Sequence, residues 1–304
     1  MGYKYRTLGQ GFRGFTANLP PIDLTAGVPI SELYFGIDGR IVLAAAAGGN
    51  GSVLLDQIDE IQLTRGGQTI VQIENGQDLW ALTKAPWNDQ APDVTTGGSS
   101  GHYTYIKGLT LPVSLPPGAA GEFQLTIDNA GSLSTSSEEI SVAEGWGRYA
   151  ANYFGQGPAM LNYQEDNGKH FHIVKRLKTP TATGWGEGFS LGTEGDLVGL
   201  MLWQTTEQGQ IVAKTAISLY EYRLEIGGEV VINANCLNGF GTQGLTVGAQ
   251  SDAGYSYPTA QLGEYIYHDF RRQPWDCRGK SVQLYHNAGT ADAIRAYPIY
   301  LIDW

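Results

Sequence analysis

The chain has almost no cysteine. Its 304 residues hold two, Cys236 and Cys277. No pair stands close enough for a CxxC zinc or redox motif, and a disulfide-dense scaffold is excluded. The two read as free buried thiols; a bond between them is the alternative that spacing leaves open. Charge is also scarce, at 16% of residues against about 25% in ordinary domains. The 19 basic residues face 30 acidic ones, for a net charge of −11. That balance excludes a broad electrostatic grip on nucleic acid, which needs Lys and Arg to displace phosphate counterions. Basic spots are local: Lys4 with Arg6, Lys169 to Lys178, and Arg271-Arg272. Long apolar runs are missing. The most apolar, Ile41 to Ala47, is far below the ~20 residues of a membrane helix. The opening MGYKYRTLGQGFRG carries no apolar signal region, so secretion is not expected. P-loop and HExxH motifs are absent.

What is abundant is glycine, 42 residues, about twice ordinary usage, together with Tyr, Thr, Val and Ile. Such a composition fits an all-β protein with many tight turns. One stretch occurs twice. Ile58 to Val71 reads IDEIQLTRGGQTIV, and Leu219 to Ile232 reads LYEYRLEIGGEVVI. Each is an alternating strand, a Gly-Gly turn and a β-branched strand, 161 positions apart. A second match follows in the same order: Gln124-Leu125 then Asn129-Ala130-Gly131, and Gln283-Leu284 then Asn287-Ala288-Gly289, at offsets of 159 and 158. Two matches in order at nearly one offset indicate an internal duplication. Each copy also carries a long polar loop after its hairpin, at 86–101 and 238–263; loops of that length in compact domains usually carry contacts.

The pattern divides the chain into an N-terminal arm 1–14, a first β-domain 15–143, a connector 144–168 and a second β-domain 169–304. Within the first, Ile30 to Leu43 reads as two strands around an Asp38-Gly39 hairpin turn. Gln77 to Lys84 reads as a short helix. Both Asn-Ala-Gly triplets, and Pro116-Pro117-Gly118, read as turns. The connector's GWGRYAANYF reads as one or two helical turns. Each half has about eight short strands, which specifies an antiparallel sandwich or barrel. The long connections favour a jelly roll over an up-and-down barrel. The fold expected is two tandem eight-stranded jelly-roll β-barrels, a double jelly roll.

With that architecture in place, the segment Ile58 to Trp80, strand, turn, strand and short helix, is similar to the corresponding block of the double jelly-roll major capsid proteins of tailless icosahedral, internal-membrane-containing viruses of bacteria or archaea. The resemblance implies a structural capsid protein made in the host cytoplasm and located in the virion. Its homotrimers would form pseudo-hexameric capsomers that contact neighbouring capsomers, penton and other minor capsid proteins, and the internal membrane. It implies no enzyme activity, no cofactor and no specific nucleic-acid binding.

Several residues are of types that can carry chemistry. His170 and His172 stand two apart, a spacing that places both on one face of a strand and can hold a metal; no third ligand is near in sequence. Asp56, Asp59 and Glu60 form an acidic cluster that leaves room for acid–base work or a structural calcium ion. Glu221 repeats Glu60, which favours a structural role in both copies. Gly9, Gly11 and Gly14 match a dinucleotide fingerprint without its strand–helix context. Trp185, Tyr255, Tyr257 and Trp275 could stack sugars, so a carbohydrate-binding or glycan-acting β-sandwich is the alternative function. Ordinary packing or subunit contact is favoured for them, and no catalytic, cofactor or metal residue is assigned.

Overall fold

A computed structural model describes residues 5–7, 21–24, 30–40, 58–87, 103–116, 119–129, 147–154, 168–204, 219–235, 244–247, 265–289 and 293–303. The chain divides into two compact units, Met1–Phe171 and His172–Asp303. The first contains β1 (Tyr5–Thr7), β2 (Ile22–Asp23), β3 (Ile30–Arg40), β4 (Ile58–Arg65), β5 (Gln68–Ile73), helix α1 (Gly76–Trp87), β6 (Tyr103–Leu115), β7 (Phe123–Asn129) and β8 (Gly147–Phe154). Strand β9 (Lys169–Val174) leads into the second unit. There follow β10 (Arg176–Lys178), β11 (Gly184–Trp185), β12 (Phe189–Ser190), β13 (Asp196–Gln204), β14 (Leu219–Ile226), β15 (Glu229–Asn235), β16 (Gly244–Val247), β17 (Tyr265–Asp269), β18 (Trp275–Asp276), β19 (Val282–Ala288) and β20 (Ile294–Asp303).

In the first unit successive strands, apart from the β4–β5 hairpin, alternate between two sheets, ordered β1-β8-β3-β6 and β2-β7-β4-β5. That order is two interlocked Greek keys, a jelly roll. The second unit repeats it. Strands β10, β20, β13 and β17 make one sheet, extended by β16, and β12, β19, β14 and β15 make the other, with β11 beside β12 on β19. The expected fold, two jelly rolls in tandem, is the observed one; the sheets are open sandwiches rather than closed barrels.

The duplicated hairpins agree residue by residue. Gly66 and Gly67 have φ of +53° and +84°; Gly227 and Gly228 have +60° and +85°. Both positions need left-handed backbone, the geometry of the two-residue turn whose twist matches paired strands. The flanking pairs are Arg65 with Gln68 and Ile226 with Glu229. A bulge then falls at the same place, between Leu63 and Thr64 and between Leu224 and Glu225. The third strand matches too: Leu63 pairs with Leu125 and Leu224 with Leu284, at offsets of 161 and 159. Even the turn amides agree, Gly66 N–H donating to the Glu122 carbonyl at 2.9 Å and Gly227 N–H to Ser281 at 2.8 Å. In this register Ile61, Leu63, Leu125 and Ile127 of the first roll, and Tyr222, Leu224, Leu284 and His286 of the second, are buried. Burying each large apolar side chain contributes about 1.5–3 kcal/mol.

Helix α1 begins as its sequence directs. The Asn75 side-chain oxygen accepts from the Asp78 backbone N–H at 2.8 Å, an N-cap, and Asp78 lies in the first turn where negative charge is favoured. Leu79, Trp80, Ala81 and Leu82 are buried, and the helix packs against β4, β5 and β6.

Several expectations are corrected. Ile30 to Arg40 is one strand, not a hairpin: Asp38 pairs with Tyr105 and Arg148, and Gly39 with Thr104 and Gly147. Pairing on both edges outweighs the local turn preference of Asp-Gly. Gly147–Phe154 is the last strand of the first roll, not helical turns in a connector, because its pairing with β3 satisfies the backbone of an aromatic-rich segment better suited to a strand. The first roll therefore runs past 143, and residues 5–7 of the expected arm pair with β8. Asn287-Ala288 lies within β19, and Asn129 corresponds to Ala288 rather than Asn287. Helix α1 extends through Pro86. Gly244–Val247, inside the expected second loop, is a strand on β17. The remainder of both long loops lies outside the described residues.

Because Gly67 and Gly228 occupy equivalent left-handed positions with open space around them, the strain of a side chain there comes from the backbone alone. Gly67→Val and Gly228→Val should each lower stability by about 1–2 kcal/mol, read as shifted midpoints in urea unfolding. A neutral result at either site would contradict the shared turn.

Candidate functional site

The acidic cluster resolves into sheet contacts. On the outer face of the first roll, Gln72 Nε2 donates to Glu60 Oε1 at 2.6 Å. At the equivalent place in the second, Asn287 Nδ2 donates to Glu221 Oε2 at 3.1 Å. Each glutamate ties its strand to a neighbour, a cross-strand role worth about 0.2–1 kcal/mol. Asp59 is exposed, and Asp56 lies outside the described residues.

His170 and His172 are both buried, at 6% and 8% exposure, and so is Phe171 between them. The strand is enclosed on both faces rather than presenting two imidazoles to a shared ligand. The charges near His172 are Glu194 and Arg176, which bind each other at 2.9 Å. Burial pushes the His172 pKa down, Glu194 opposes it, and Arg176 adds to the fall. Among the described residues no three His, Cys, Asp or Glu side chains gather as a metal site would require.

Cys277 is a free, buried thiol. Its S–H donates to the Trp275 carbonyl at 3.3 Å, and burial pushes its pKa up to about 11. Cys236 lies outside the described residues, as do Gly9, Gly11, Gly14, Tyr255 and Tyr257. Of the aromatic candidates, Trp275 is half-buried against the core of the second roll. Trp185 alone stands out, 53% exposed. The Arg223 guanidinium lies 5.9 Å from its ring centroid and 4.6 Å from that of Tyr285, and Arg223 Nε meets Glu225 Oε1 at 2.9 Å. On the outer sheet face of the first roll the positions of Arg223 and Tyr285 are held by Gln62 and Thr126. Among the described residues, the Arg223–Tyr285 pair of this platform has no aromatic or basic counterpart at the equivalent positions of the first roll.

Two features gave no sequence signal. Arg278 holds three carboxylates, Asp196 at 2.9 Å, Asp276 at 3.1 Å and Asp303 at 3.4 Å, tying together the ends of β13, β18 and β20. In the core, the Tyr222 hydroxyl lies 2.6 Å from His268 Nε2, across the gap between the two sheets. The basic spots are largely tied down: Arg271 is bonded to Asp269 and Arg176 to Glu194.

No family model and no curated protein matches the sequence. Among solved structures, the STIV MCP is similar at a TM-score of 0.71 and 14% identity, covering 99% of this chain and 97% of that one. The atomic structure of Sulfolobus Turreted Icosahedral Virus gives 0.69 at 12%, covering 99% and 90%. The major capsid protein of bacteriophage PM2 gives 0.52 at 11%, covering 100% and 98%. The chain is a double jelly roll, and this is the fold of those viral major capsid proteins.

The Cys277 environment makes a simple test. In a Cys236→Ser variant, Cys277 should resist thiol-reactive probes at neutral pH in the folded protein and react fully once unfolded, because only the exposed thiolate is nucleophilic. Fast labelling of the folded chain would contradict its burial.

Proposed function

We propose that the chain is a structural capsid subunit, a major capsid protein of an icosahedral virus. The observation that carries this reading is the end-to-end likeness of both rolls to the capsid proteins, with nearly complete coverage of each chain. The cross-strand contacts of Glu60 and Glu221 and the burial of His170 and His172 support a structural role for those residues. A duplicated roll has its own assembly logic. Three copies of a two-roll chain place six similar sandwiches around one axis, a pseudo-hexamer able to tile a flat facet. Fusion also lets the rolls diverge, so that each takes different neighbours. The homotrimer, its contacts with adjacent capsomers, penton and other minor proteins, the internal membrane as a neighbour, and residence in the virion belong to this reading. A structural calcium ion is a further proposal within it, with carboxylates and loop carbonyls as ligands.

One observation favours a second reading. Trp185 exposes an aromatic ring beside Arg223 on an open sheet face, a surface on which a sugar could stack. Strong, saturable retention on a glycan array, lost in Trp185→Ala, would move the assignment to a carbohydrate-binding protein.

The capsid reading is tested by mass. Sedimentation equilibrium of the purified chain should give the mass of three chains, with the trimer persisting on dilution. A monomer at every concentration would overturn it.

A further inference from the structure

The two rolls share a scaffold but not a core. At one layer of the first roll, Ile61 on β4 pairs with Ile127 on β7, both buried. The equivalent pair in the second roll is Tyr222 on β14 with His286 on β19, also buried, at 0% and 1% exposure. The same offsets of 161 and 159 that align the leucines align these residues. Tyr222 then reaches across the sandwich to His268 on β17. A line of three polar side chains, His286, Tyr222 and His268, crosses a core that is apolar at the equivalent pair in the first roll.

The surroundings of each imidazole are unfavourable to charge. His268 lies between Tyr222 and the Phe270 ring, stacked at 6.1 Å. Its strand neighbours are Leu200 on β13 and Gly244 on β16, and the nearest charges along its own strand are Asp269 and Arg271, bonded to each other. His286 packs edge-on to Phe189. Its ring sits where a Cβ on Gly186 would stand, 2.7 Å from Nε2, and neither ring nitrogen has a hydrogen-bond partner among the described residues. The charge that acts on it is the Lys178 ammonium on β10, which repels a second cation. Burial holds the His268 pKa down to about 4, and burial followed by Lys178 lowers that of His286.

We propose that His286, Tyr222 and His268 form an acid-operated latch in the core of the second roll, so that this roll loosens on acidification while the first keeps its structure. Protonation makes both nitrogens of His268 donors. Nε2 can then only donate to the Tyr222 oxygen, and a buried cation with no carboxylate against it among the described residues is left in the core. Protonation of His286 would add a second positive charge on the strand paired with Tyr222, roughly 5 Å away between Cβ atoms. The sign follows from linkage: a histidine whose pKa falls on folding contributes stability that is present above its unfolded value of about 6.5 and is lost as pH falls toward its folded value. The first roll, with Ile61 and Ile127, has no such loss at this layer. The inference concerns the second roll alone and stands apart from the capsid reading.

The test is hydrogen exchange of the full chain, followed segment by segment from about pH 7 to about pH 4 and corrected for intrinsic rates. Protection of β13, β14 and β19 should fall by about tenfold or more, while β4, β5 and β7 keep theirs. In His286→Ile, which imports the residue of the first roll, the fall should move to lower pH. Equal loss in both rolls, an unchanged second roll, or an unmoved fall in a folded His286→Ile would overturn the proposal. Should that variant not fold, the C2-hydrogen exchange profiles of His268 and His286 in the unmodified chain decide: depressed midpoints support the latch, and ordinary histidine midpoints overturn it.

Discussion

Register is the constraint on which both rolls depend. In a strand, a slip of one residue would turn every core side chain to solvent. Here register is fixed twice over: by a two-glycine turn that only left-handed backbone can make, and by a bulge that absorbs one extra residue just beyond it. Those two devices decide that Leu63 and Leu224 point inward and that Glu60 and Glu221 take contacts on the outer face. The third strand, β7 or β19, then closes on the turn amide, and the remaining strands add in Greek-key order around this unit.

A fixed backbone leaves the side chains free to diverge, and among the described residues the two rolls differ at two places. The second roll's outer face carries Trp185, Arg223 and Tyr285 where the first roll has Gln62 and Thr126 at the positions of Arg223 and Tyr285. Its core carries Tyr222 and His286 where the first has Ile61 and Ile127. Arginine and aromatic side chains are the types that dominate protein contacts, whereas a polar layer in a core makes stability depend on protonation. The two rolls are thus alike in scaffold and differ at one place on the outer face and at one in the core.

The hairpins, the helix after β5 and the double jelly roll were legible because turn chemistry and capping are local: Gly66-Gly67, Gly227-Gly228 and Asn75 act within a few residues. Legibility failed where long-range pairing decides. Asp38-Gly39 has the chemistry of a turn, yet β3 passes straight through it because β6 and β8 pair along both its edges. The segment Gly147–Phe154 lacks strict alternation, and only its place beside β3 makes it a strand. Of the candidate residues, Glu60 and its repeat Glu221 each make a cross-strand contact. Exposure of Trp185 could not be read locally, since Trp275 is just as aromatic and packs against the core. The Tyr222–His268 contact joins residues 46 positions apart, and no spacing rule announces it. A comparison of the two copies position by position could have found its other half, since Ile61 and Ile127 align with Tyr222 and His286.

Assembly through the duplicated rolls is the proposed role. Electron microscopy of the purified, undiluted protein tests it most directly. The account predicts particles of hexagonal outline with three-fold symmetry, six densities around a centre, and their association into flat arrays. A field of separate monomers under the same conditions would contradict it.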